Sequence, residues 1–130
     1  MEIGETLHLN TRDEWRAWLA EHHESKQEIW LILYKSSSGK REFPLSHAVE
    51  EALCFGWIDS TLKPVDNSSY ALRFSPRRKK SPWAGSNRMR ALSLLREGKM
   101  TPAGMAVLPP EIIQAWEEEN RSINSQQGGI

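Results

Sequence analysis

Hydrophobic positions along this chain switch between two periods, and the switches mark its elements. Trp15, Trp18, Leu19 and His22 recur at i, i+3, i+4 and i+7, one face of a helix, and Thr11 followed by Glu14 has the capping-box spacing. This predicts a helix over 12–23, after a short first strand at Thr6 to Asn10. Glu28 to Lys35 (EIWLILYK) is apolar at both parities, as in a central strand covered on each side, and Ser36 to Lys40 (SSSGK) reads as a turn. Pro44 and Ser46 open a second helix to about Phe55, its apolar face Ala48, Val49, Ala52, Leu53 and Phe55, with Gly56 placed to end it.

Beyond Gly56 the period returns to two. Trp57 to Val65 and Ser69 to Ser75 read as strands joined at Asp66-Asn67-Ser68; in the second, Tyr70, Leu72 and Phe74 share a face and Arg73 and Ser75 point the other way. Ser81-Pro82 has the form of an N-cap and first helical residue, and Gly98 that of a C′ residue, enclosing a helix at 82–97 with Trp83, Ala84, Ala91, Leu94 and Leu95 inward. Thr101-Pro102 starts a short helix to Leu108, Pro109-Pro110 breaks it, and a last helix runs over 110–119. The predicted order is β-α-β-α-β-β-α-α-α. A strand pair joined by a tight turn is antiparallel, so the expected class is α+β, helices packed on a small, mainly antiparallel sheet. One domain is expected at 1–120, with 121–130 (RSINSQQGGI) as a disordered tail.

Charge changes the picture. The net charge is zero, but residues 63–99 carry a net of +8, against −5 for residues 1–62 and −3 for residues 100–130. A basic stripe within a neutral chain draws anions without compromising solubility. Cys54 is the single cysteine, which excludes an intrachain disulfide and the cysteine-rich zinc frameworks. The opening MEIGETLHLN reads as neither signal peptide nor anchor, and the longest apolar run, Ile29 to Tyr34, is too short for a bilayer, so no membrane span and a cytoplasmic setting are expected. The histidines lack metal-ligand spacing, and no dinucleotide or phosphate-loop glycine pattern occurs, so neither metal nor cofactor is expected.

Candidate chemistry gathers around the hairpin. With its apolar faces aligned, Asp59, Lys63, Arg73 and Ser75 project together; an ordinary solvated face with cross-strand ion pairs has the same pattern. The run from Arg73 to Trp83 (RFSPRRKKSPW) then leads into a helix start, where free N–H groups and guanidinium forks favour an anion and the prolines stiffen the loop. Four consecutive basic residues also serve plain solubility. Asn87 falls within the apolar face of its helix, either tying the helix to a loop carbonyl or lining a pocket with Trp83. Cys54 and His47 lie seven residues apart, about 10.5 Å along a helix, too far for a nucleophilic dyad.

From Glu51 to Gly104 the chain reads EALCFGWIDS, Lys63, RFSPRR, Ser81, Trp83, Asn87 and GKMTPAG, and this ordered set resembles the YdeI/OmpD-associated family, also called bacteriocin-protection proteins. The likeness covers residues 8–108, including the Trp-rich helix and the EIWL strand. It implies a small bacterial or archaeal domain without an established reaction and a role in envelope stress or bacteriocin resistance.

The expected function is a non-enzymatic module whose basic loop binds an anionic partner, either nucleic acid or a phosphate or carboxylate ligand. Asp59, Lys63, Arg73, Arg77, Ser81 and Asn87 would form the site, with Trp57 or Trp83 as a stacking wall. Two alternatives stand beside it: an enzyme with Asp59 as general acid or base, and a protein-interaction domain using exposed tryptophans.

Overall fold

Two helices and the inner face of a sheet share one apolar seam, and the sequence order explains why. The computed structural model describes residues 2–35, 38–39, 43–78 and 82–128, with side chains as far as 122. The elements are β1 (Thr6–Leu7), α1 (Arg12–His22), β2 (Ile29–Tyr34), α2 (Leu45–Cys54), β3 (Trp57–Pro64), β4 (Ser69–Pro76), α3 (Gly85–Arg96), α4 (Pro102–Met105) and α5 (Pro110–Gly128). The fold is α+β, and this order is the one the hydrophobic pattern predicts.

The sheet has the order β1-β2-β4-β3; β1 runs parallel to β2, and β4 pairs antiparallel with both β2 and β3. Strand β4 is therefore interior. Its Leu72 and Phe74, with Ile29, Leu31 and Leu33 of β2 and Trp57 of β3, meet Trp15 and Leu19 of α1 and Ala48, Val49, Ala52 and Leu53 of α2 in the main core. Trp15 is fully buried, and its indole N–H donates to the Ala48 carbonyl at 3.0 Å, so the large ring leaves no unsatisfied donor. Thr11 caps α1, its hydroxyl oxygen accepting from the Glu14 backbone N–H at 3.1 Å. A buried carboxylate pins α1 to α2: Glu51, 2 % exposed, pairs with both Arg12 and Arg16, the latter at 3.0 Å.

Two long helices differ in extent from the sequence expectation. Helix α3 begins at Gly85, not 82, and its N-cap residue Ala84 makes no side-chain cap. Ser81, the expected cap, lies outside the described residues, as do Lys79, Lys80 and most of the turn at 36–40. Helix α5 continues to Gly128, through most of the segment expected to be disordered, because no glycine or proline interrupts it between Pro110 and Gly128. Below Trp83, a second apolar cluster of Ala91, Leu95, Leu108 and Ile112 joins α3 to α5.

Short helix α4 is tied to the end of α2. The Cys54 carbonyl accepts from the Thr101 N–H at 3.1 Å and from the Thr101 hydroxyl. Gly104 is buried against the same carbonyl, and a Cβ there would overlap both the Cys54 backbone and the Met100 sulfur. Replacing Gly104 with alanine should therefore destabilise the fold by about 1–3 kcal/mol, the usual range for overpacking. Urea denaturation would show a lower midpoint with an unchanged slope.

Candidate functional site

The face of the sheet turned away from the helices carries the opposite parity of β4, namely Ala71, Arg73 and Ser75. At one end of this face a cleft of 690 Å³ is lined by Gln27, Ile58, Arg73, Ser75, Pro76, Arg77, Arg78 and Pro82. Register explains the lining: Ile58 stands opposite Ser75 across the β3–β4 ladder, and Trp57 opposite Pro76.

Arg73 is held from several directions. Its Nε donates to Glu28 Oε1 at 2.7 Å, and its Nη1 donates to the Ser60 and Ser75 hydroxyls at 3.3 and 3.4 Å. Arg77 is set deeper, 7 % exposed. Its backbone N–H donates to the Gly56 carbonyl at 2.8 Å, its Nη1 donates to the Pro82 carbonyl at 3.0 Å, and its guanidinium lies 4.0 Å from the Trp83 ring centroid. Burial pulls this guanidinium below its ordinary pKa, and the Asp59 carboxylate opposes the shift. It stays charged, since arginine does not deprotonate in proteins. Arg78 is exposed at the rim.

This packing also accounts for the late start of α3. With the Pro82 carbonyl occupied by Arg77 and the Trp83 ring stacked on it, residues 82–84 stay out of the helix, and Ala84 has extended backbone angles (φ −66°, ψ 151°).

The expected constellation is only partly assembled. Asp59 pairs in register with Phe74, on the parity of the core, so it does not project beside Arg73 and Ser75. The cause is a bulge. Register shifts between Asp59 and Leu62, so Ser60 and Thr61 together face Arg73, and the parity of β3 reverses beyond them. Lys63 accordingly pairs with Ala71 and shares the outer parity of Arg73, but it stands toward the turn and does not line the cleft. Trp57 is 1 % exposed and packs edge-on against Trp18, so it offers no stacking face. Trp83 is half-buried and backs Arg77. Asn87 is half-buried in the first turn of α3, accepting from Arg90 at 3.0 Å, and is not sunk in the apolar face. Ser81 lies outside the described residues.

Sequence reasoning passed over Glu28, Gln27 and Ile58 as site residues and took Arg78 only as part of the basic run. The one available signal was spacing: Trp57 and Leu62, both apolar, are five residues apart, an odd interval that a regular strand cannot place on one face.

Elsewhere, burial pushes the Cys54 thiol above its ordinary pKa, partly offset by a hydrogen bond from Arg16, which suits a packed core residue and not a nucleophile. Among the described residues no group of three His, Cys, Asp or Glu side chains is placed to hold a metal ion, and no helix is long and apolar enough to cross a membrane.

Fold and cleft together define a small α+β domain with an arginine-rich recess on the outer face of its sheet. Residues 7–107 match the family described as Domain of unknown function (DUF8412), and the chain belongs to that family. The match ends before α5. No curated protein and no solved structure matches the chain.

The stacked Arg77 makes a stability prediction. Arg77→Ala removes a desolvated cation–π contact and a hydrogen bond, and should cost about 1–3 kcal/mol. Exposed Arg78→Ala should change stability by no more than about 0.5 kcal/mol. Chemical denaturation followed by tryptophan fluorescence measures both, and the fluorescence of the folded Arg77 variant should itself shift as Trp83 loses its cation.

Proposed function

We propose that the protein is a non-enzymatic module that binds a small anionic ligand in the arginine cleft. One observation carries this reading: three guanidinium side chains line the recess, and none of the described residues lining it is acidic. Guanidinium forks suit the oxygens of phosphate or carboxylate. Ser75 and Gln27 add hydrogen-bonding groups, while Ile58, Pro76 and Pro82 supply an apolar wall for the ligand's body.

A compact ligand is favoured over an extended nucleic acid, because carboxylates pair with part of the basic stripe. Arg88 pairs with Glu111 at 2.8 Å, Arg96 with Glu119 at 2.6 Å, and Lys99 with Glu97 at 3.4 Å. A polyanion needs a run of uncompensated cations to release counterions along its length. The enzymatic alternative needs Asp59 in the recess, and the bulge turns Asp59 toward the core parity. The resemblance to YdeI/OmpD-associated proteins, whose motif residues Arg73, Pro76 and Arg77 fall on the cleft wall, extends the proposal to a role in stress or bacteriocin resistance.

Titration with inorganic phosphate, followed by backbone amide NMR, tests the reading. Shifts should concentrate on residues 58, 73–75, 77 and 78, and the folded double variant Arg73→Gln/Arg78→Gln should bind at least about tenfold more weakly. Unchanged affinity in that variant overturns the proposal. So does tighter, salt-steep binding of a short single-stranded DNA than of phosphate, which would assign the site to nucleic acid.

A further inference from the structure

Glu28 and Trp30 stand two residues apart at the start of β2, on the outer parity that also carries Arg73, and Trp30 pairs in register with Arg73. Trp30 is fully buried, yet its indole N–H has no hydrogen-bond partner among the described residues. Buried donors are almost always paired, so an orphan of this kind calls for an explanation. Glu28 lies close by. Its Oε1 accepts from Arg73 Nε at 2.7 Å, and its Oε2 faces Gly4. A Cβ built on Gly4 would lie 2.9 Å from that oxygen and 3.4 Å from Trp30 Nε1, so the second carboxylate oxygen and the orphan donor converge on the same bare glycine.

An anion that takes Arg73 must displace this carboxylate, at a cost common to every ligand. The size of that cost depends on where the carboxylate goes. Lys26, the nearest cation in sequence, is engaged with Glu5 at 2.9 Å. The Glu28 side chain is only 38 % exposed, so water solvates it incompletely. The Trp30 indole N–H, by contrast, is a donor that has lost water and gained no partner. A carboxylate arriving there makes a charge-assisted hydrogen bond and satisfies both groups at once.

Resting on the reading of the cleft as an anion site, we propose that Trp30 is a positioning residue of that site: when an anion occupies Arg73, the Glu28 carboxylate passes to the Trp30 indole N–H. The exchange needs only side-chain rotation, because Oε2 already faces the glycine beside the donor. It lowers the common cost of opening Arg73 and leaves the choice of ligand to the cleft.

Titration of the full chain with inorganic phosphate, followed by NMR, tests this through the Trp30 indole signal, one of six, assigned by through-bond experiments. As the cleft resonances saturate, the Trp30 indole proton should move downfield in step with them, and in Glu28→Ala it should not. Affinity gives a second readout. Trp30→Phe keeps a ring and removes the donor, and should weaken phosphate binding about three- to tenfold. In the Glu28→Ala background no carboxylate needs a new partner, and the same substitution should change affinity by less than about twofold. An indole proton that stays in place while the cleft saturates overturns the exchange. So does an equal loss of affinity in both backgrounds, which a purely structural role of the ring would give. If phosphate shifts no cleft resonance in the unsubstituted protein, the anion site itself falls and the role of Trp30 with it.

Discussion

The interior position of β4 is the constraint on which the rest of the structure depends. A strand hydrogen-bonded along both edges cannot slide, and a one-residue slip would exchange its two faces. Leu72 and Phe74 are thereby committed to the helices, and Arg73 and Ser75 to the outer recess. Phe74 lies 5.1 Å from Trp15, ring centroid to centroid, and Trp15 is bonded to α2. Core packing thus fixes the register that aims the arginine. Only β3, an edge strand, departs from regularity, and its bulge falls directly opposite Arg73. There the extra residue brings the Ser60 hydroxyl within reach of the guanidinium, at 3.3 Å.

Electrostatics follow from the same packing. Residues 63–99 hold a large positive excess in sequence, and the fold returns acidic groups to them from both ends of the chain: Glu28 to Arg73, Glu111 to Arg88, Glu119 to Arg96. Exposed pairs of this kind contribute only about 0–1 kcal/mol each. Their larger effect is on the field, since a paired arginine no longer adds to a long-range potential. What began as a stripe becomes a recess, and α5, beyond the matched family region, supplies two of the neutralising carboxylates.

The fold was legible in the sequence because its signals are local and agree with one another. The Thr11 cap, the alternation of β4 and the β3–β4 turn each sit within a few residues, and Asp66 secures that turn through the Ser68 and Ser69 backbone N–H groups at 2.8 and 2.9 Å. The site was legible only where it inherits such periodicity. Arg73 and Arg77 could be found from the strand and the loop after it. Asp59 was misplaced because a bulge inverts parity without a composition signature, and Trp57 because a strand's first residue says little about which face is covered. Glu28 was invisible for a different reason: it meets Arg73 across 45 residues, through a pairing of β2 with β4 that no local pattern encodes. The start of α3 misled because Ser81-Pro82 is a sound capping signal, overridden by the demand of Arg77 for the Pro82 carbonyl.

That demand bears on how the cleft works. Arg77 is fixed through its backbone to Gly56 and through its guanidinium to the adjacent Pro82 and Trp83, two separate stretches of chain, so its guanidinium is positioned before any ligand arrives. Arg73 is held by one carboxylate and two hydroxyls, partners that an anion can replace. A preset cation lowers the ordering cost of binding, while a cation with displaceable partners subtracts the cost of their displacement from every ligand that reaches it. The two arginines, four residues apart on one strand and its extension, therefore divide the work. Arg77 provides a rigid floor whose charge the Asp59 carboxylate supports, and Arg73 provides a contact that a ligand reaches by replacing its partners. This division explains why truncation is expected to cost stability at Arg77, although both arginines line the same recess.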